Sequence, residues 1–166
     1  MRTSKKASGI GDLIYVFLIL FITAFVIMIT YEPRMEFEES LEDDNWMDEE
    51  VLEHLQEHNV QQTQFWDDWM IVILAFVTII LLISSYFIDS HPVFFFVFLI
   101  LLVLLIVISA MMSNAYIEVS LEDNMTAAVA AYPKINWLMA NWPIVLLVQG
   151  ILVAMVLYTK FRLIEQ

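Results

Sequence analysis

Apolar residues in this chain fall in four long blocks rather than being scattered. The blocks cover residues 13–30, 70–88, 93–112 and 143–161, and each is rich in Ile, Leu, Phe and Val. The first is 18 residues long, about 27 Å as a helix and so close to the thickness of a hydrocarbon layer. A water-soluble core cannot bury four runs that are apolar on every face, whereas lipid tails surround them at no cost. The pattern therefore predicts an all-α integral membrane protein with four transmembrane helices. A polar segment over 31–68 separates the first two spans, and a mixed segment over 113–142 separates the last two.

The connections add detail. Only Asp89-Ser90-His91-Pro92 joins the second and third runs, which predicts an antiparallel helical hairpin with Pro92 in the first turn of its second helix. The 31–68 segment reads as a partly helical loop. Within it, residues 45–65 carry a weak helical period through Met47, Val51, Leu55 and Phe65, consistent with a short helix lying across the mouth of the bundle. In the last segment, 121–132 reads as a helix stopped by Pro133, with a further apolar stretch at 135–141. Tyr132, Trp137 and Trp142 are expected at the membrane interface, as are Trp66, Trp69 and Tyr86 around the second span.

Charge sets the orientation. Five of the seven basic residues, Arg2, Lys5, Lys6, Lys160 and Arg162, sit at the two ends, leaving Arg34 and Lys134 for the intervening segments. The positive-inside rule then places both termini on the cytoplasmic side, as four spans require. The first span follows a basic tail (1–12), but it lacks a small-residue cleavage site and reads as a retained signal anchor. The formal net charge is −13, and the 31–68 segment holds 14 acidic residues against Arg34 alone. Such a segment is repelled by phosphate, so no nucleic-acid partner is expected. It suits other membrane proteins with a basic surface.

Chemistry narrows further. No cysteine is present, which removes disulfides, thiolate metal sites and cysteine nucleophiles. His54-Leu55-Gln56-Glu57-His58 fits the H-x-x-E-H zinc-protease pattern, placing two histidines on one helix face with a carboxylate beside them. A zinc site needs a third ligand, and no acidic partner stands out on a second helix, although Glu118 and Glu122 lie on the same side. The pattern is short and sits in a Glu-rich stretch, so the expectation is a solvated helix face. No charged residue lies mid-span, which argues against a pump or carrier. Gln149, followed by Gly150 and Ala154, reads as a packing seam where an amide hydrogen-bonds across to a neighbouring helix. The bulky third span is expected to face lipid or to wedge among its neighbours. Asn124-Met125-Thr126 matches the glycosylation sequon. No catalytic, cofactor-binding or metal residue is assigned, and the chain is not expected to be an enzyme.

The stretch Ala131-Tyr132-Pro133-Lys134-Ile135-Asn136-Trp137-Leu138-Met139-Ala140-Asn141-Trp142-Pro143 leads into Gln149-Gly150 and Tyr158-Thr159-Lys160. With the basic tail and anchor span, it resembles small multi-spanning membrane proteins of tailless icosahedral phages that enclose a lipid layer. The likeness covers the general layout and the last forty residues or so. It implies a virion membrane protein, part of a larger assembly, that helps link the internal membrane to the capsid. Two other readings follow from the residues: a pore-forming or holin-like channel subunit, and an accessory subunit of a cellular membrane complex.

Overall fold

The computed structural model describes residues 8–43, 48–87 and 92–164, all of them in helices or the short turns between helices. The elements are α1 (Ser8–Ile29), α2 (Tyr31–Asp43), α3 (Glu49–Phe87), α4 (Pro92–Ser120), a 3-10 turn at Asp123–Met125, α5 (Thr126–Ala131), α6 (Pro133–Ala140) and α7 (Trp142–Ile164). Four helical stretches among the described residues are long and apolar enough to cross a membrane. Arg2, Lys5, Lys6, Trp46, Met47 and the turn residues Asp89, Ser90 and His91 lie outside the described residues, as does the side chain of Arg162.

Proline decides where several helices break. Pro33 has no N–H to offer the Ile29 carbonyl, and the chain turns at Thr30 between α1 and α2. The Thr30 hydroxyl donates to the Val26 carbonyl at 2.8 Å and so occupies a carbonyl at the frayed end. Pro133 disfavours a helical conformation at Tyr132, whose φ of −120° and ψ of 64° separate α5 from α6. Pro133 then opens α6 in the first turn, where its missing N–H costs nothing.

The segment read as a partly helical loop is mostly helix. Residues 45–65 do not lie across the bundle mouth as a separate element. From Glu49 they form the outer half of α3, a 39-residue helix that runs straight into the second span. No Gly or Pro occurs between residues 49 and 87, so nothing halts the helix at the water–lipid boundary. At about 1.5 Å per residue, α3 is about 58 Å long, twice what a bilayer core needs.

The bundle is assembled around α7, the most enclosed of the four spans. Its most extensive partner is α4, followed by α3. One core cluster joins Phe17, Phe21, Ala24 and Met28 of α1 to Tyr116 of α4, Ile135, Leu138 and Met139 of α6, and Trp142 and Leu146 of α7. A second joins Phe98 of α4 to Val153 and Leu157 of α7. Bulky α4 therefore packs well, because Gly150 lets it approach. A Cβ at Gly150 would collide with the Leu102 side chain. The opposite side of α4, including Phe96, Ile100, Val103 and Val107, is exposed and faces where lipid would lie.

Candidate functional site

The densest polar construction lies at the end of the bundle where α1 finishes, the apolar half of α3 begins and α4 ends. There α6, only eight residues long, is seated among α1, α3 and α4. A short helix in that position exposes unpaired backbone groups at both ends, and each must be answered by a neighbour. Asp67 on α3 answers the first end. Its Oδ1 accepts the backbone N–H of Lys134 at 3.0 Å and of Ile135 at 2.9 Å, with the carboxylate almost wholly buried. A carboxylate is also favoured by the positive end of the helix dipole. Next to it, Asp68 accepts a hydrogen bond from the Lys134 ammonium on the exposed side. That contact holds the Lys134 ammonium above its ordinary pKa range, chiefly through the hydrogen bond to Asp68.

The other end of α6 is answered from α4. Asn141, at φ −110° and ψ 19°, breaks the helix between α6 and α7. The Ile144 N–H turns to the Asn141 carbonyl, so the Ala140 carbonyl loses its helical donor. Ser113 supplies one, its hydroxyl lying 2.7 Å from the Ala140 oxygen. Midway along α6, the Tyr116 hydroxyl donates to Asn136 Oδ1 at 2.6 Å, with the Met28 sulfur 3.2 Å away. Three residues on two helices thus hold α6 in place. The arrangement fastens α6 to its neighbours.

No known family, curated protein or solved structure matches the chain. The chain's own geometry carries the rest.

Beyond α6, α2 and the outer half of α3 form an acidic two-helix arm. Arg34 on α2 bridges to α3, donating to Thr63 Oγ1 at 2.8 Å and to Gln62 Oε1 at 3.4 Å. Its guanidinium also lies 5.5 Å from the centre of the Tyr31 ring, within cation–π range. Between the two helices runs an open cleft of about 660 Å³, lined by Met35, Glu38, Glu39, Val60 and Thr63 among others. That volume is within the usual range of binding clefts.

The residues singled out in the sequence separate cleanly. His54, Glu57 and His58 are all exposed on α3, and the Gln61 amide donates to Glu57 at 3.3 Å. No group of three metal-ligating side chains occurs among the described residues. Glu118 and Glu122 are exposed on and just after α4. Gln149 does reach across the bundle, its amide nitrogen donating to Thr78 Oγ1 at 2.7 Å. The cavity beside it measures about 10 Å³, room for a single water and nothing larger. Trp137 is exposed, as an interface residue should be, and so are Trp66, Trp69 and Tyr86. Tyr132 and Trp142 are not. Each is 2% exposed. Trp142 lies edge-on to Phe17 and Phe21, with centroids 6.0 and 5.6 Å away, and Tyr132 meets Tyr31 at 5.6 Å. The break at Asn141 turns Trp142 inward, against α1.

Asp67, Ser113, Tyr116 and Arg34 escaped the sequence reading. Their partners lie 67, 27, 20 and 29 residues away in the chain, and nothing in the local pattern announces them. One signal was present: an Asp pair directly before an apolar span is a costly place for charge unless something pairs with it.

Proposed function

We propose that this chain is a non-enzymatic, multi-pass membrane subunit that anchors a larger assembly to a bilayer through its acidic arm. The observation that carries this reading is the arm itself. α2 holds six acidic residues against Arg34, and residues 49–69 of α3 hold six more with no Lys or Arg. Arg34 bridges these two helices, and α3 runs without interruption into a membrane span. A charged helix continuous with a span suits attachment, because the partner need not order it on binding. Complementary charge speeds encounter and sets orientation.

Placement of both termini on the cytoplasmic side, by the bias of basic residues, puts the arm on the opposite face. The partner would then be a membrane or capsid protein with a basic surface rather than a nucleic acid. A virion protein linking an internal membrane to its capsid is the form of this reading that the phage resemblance implies; an accessory subunit of a cellular complex uses the same surface. The channel reading has less support. The cavity beside Gln149 has room for a single water, which is too little for a conducting path at that point.

The test is assembly in the native host or particle. Charge-neutral substitution of Glu36, Glu38, Glu39, Glu50, Glu53 and Glu57 to Gln should leave the protein in the membrane but release it from its partners. Unchanged co-purification in mild detergent would discard the docking role.

A further inference from the structure

We infer that the cleft between α2 and α3 is the seat of a polypeptide segment that combines an apolar side chain with flanking Lys or Arg. This inference rests on the proposed docking role of the arm and narrows it to one place.

The cleft has a mixed wall. Met35 on α2 and Val60 on α3 are 39% and 59% exposed and line it from opposite sides. An apolar anchor set between them would remove both from water. Glu38 and Glu39 line the same cleft, on an arm rich in carboxylates. The only basic group in the arm is Arg34, already turned toward Thr63 and Gln62. Charge complementarity therefore calls for a cationic occupant.

Two polar atoms beside the cleft are compatible with such a segment. Arg34 Nε and Glu38 Oε1 are shielded from water and have no hydrogen-bond partner. Their residues stand one helical turn apart on α2, and both line the cleft. At that spacing the two side chains can also pair with each other, so the choice of occupant rests on the apolar wall and the carboxylates. A main-chain peptide group, with a carbonyl and an N–H together, can pair with both once they turn toward the cleft. Lipid is disfavoured by the acidic rim, which repels anionic headgroups.

The full chain in nanodiscs of zwitterionic phosphatidylcholine, with empty discs as the baseline, tests this directly. The probes are three fluorescent peptides of equal length: Leu with Lys, Leu with Glu, and Lys with Ser. The Leu/Lys peptide should bind protein-bearing discs at least tenfold more tightly than either of the others. Val60→Trp fills the cleft from an exposed position, and Glu38→Gln removes one carboxylate from its wall; each should weaken that binding tenfold or more. Glu118→Gln, exposed on α4 and outside the arm, should change it less than threefold. Unaltered helical circular dichroism confirms that each variant folds. Basic-peptide binding that ignores Val60→Trp and Glu38→Gln would overturn the cleft while leaving the acidic arm as a docking surface. Binding of Lys/Ser equal to Leu/Lys would likewise reject the apolar anchor. No binding above the empty discs would remove both readings.

Discussion

The two halves of α3 share one unbroken backbone and answer to different solvents. From Glu49 to Trp69 the helix is charged, and its less exposed side begins with Leu52 and Leu55 and turns polar through Asn59, Gln62, Thr63 and Asp67. From Met70 onward the side chains are apolar, and most lie open on the outside, with only 11% of that span's apolar window buried. In the outer half, polar bonds do the fastening, because water makes charge cheap and exposed apolar surface dear. In the inner half the roles are reversed. Packing and one amide bond hold the helix, since apolar exposure to lipid carries no penalty. Adjacent stretches of one helix therefore need opposite rules to be understood.

The boundary between the halves is the most sensitive point. Asp67→Ala strips two buried backbone N–H groups of their acceptor, and should lower stability by about 3 kcal/mol. Reversible unfolding in bicelles measures this, and a loss under 1 kcal/mol would mean that α6 is held by packing alone. Within the lipid half, Gly150→Ala drives a methyl into Leu102 and should cost about 1–2 kcal/mol. Leu102→Ala opens space there, so the double variant should be less destabilised than the sum of its parts. Additive losses would show that the contact is not shared. The amide bond is weaker. A double-mutant cycle of Gln149→Leu and Thr78→Val should return a coupling of about 0.6 kcal/mol, the usual size within a membrane.

Smaller still are changes confined to the outer half. Arg34→Met should speed hydrogen exchange in α2 while leaving the spans as they were, which mass spectrometry resolves segment by segment. Slower exchange, or a change that spreads into α7, would contradict a local clamp. Last comes Lys134→Met, which removes an exposed ion pair and should barely alter unfolding at neutral pH. Because the Lys134 pKa is raised in the folded state, whatever the pair contributes is complete below the unfolded pKa. It fades only in strongly alkaline solution, as pH rises through the folded value.

What the sequence revealed depended on which solvent a residue meets. Long apolar runs can be read by eye, because lipid contact demands unbroken hydrophobicity and only a helix satisfies the backbone there. The Gln149–Gly150 seam was legible for the same reason: an amide and a bare backbone are conspicuous among Leu and Val. The outer half of α3 was not. Its less exposed stripe starts at Leu52 and Leu55 but turns polar from Asn59 on, so the apolar period placed Leu55 rightly and also picked Val51 and Phe65, which the structure leaves exposed. Tyr132 and Trp142 misled in another way. An aromatic ring with a polar tip fits an interface or a core equally well, and the breaks at Tyr132 and at Asn141 decide between them. The candidate site was nearly invisible, since the cleft and the α6 latch are both made by segments distant in the chain.

The continuity of α3 has a mechanical corollary. A rod with no hinge residue along its 39 positions passes torque from one end to the other. A pull on the polar end of α3 would therefore tilt its apolar half as well, and load the hydrogen bond between Thr78 and Gln149.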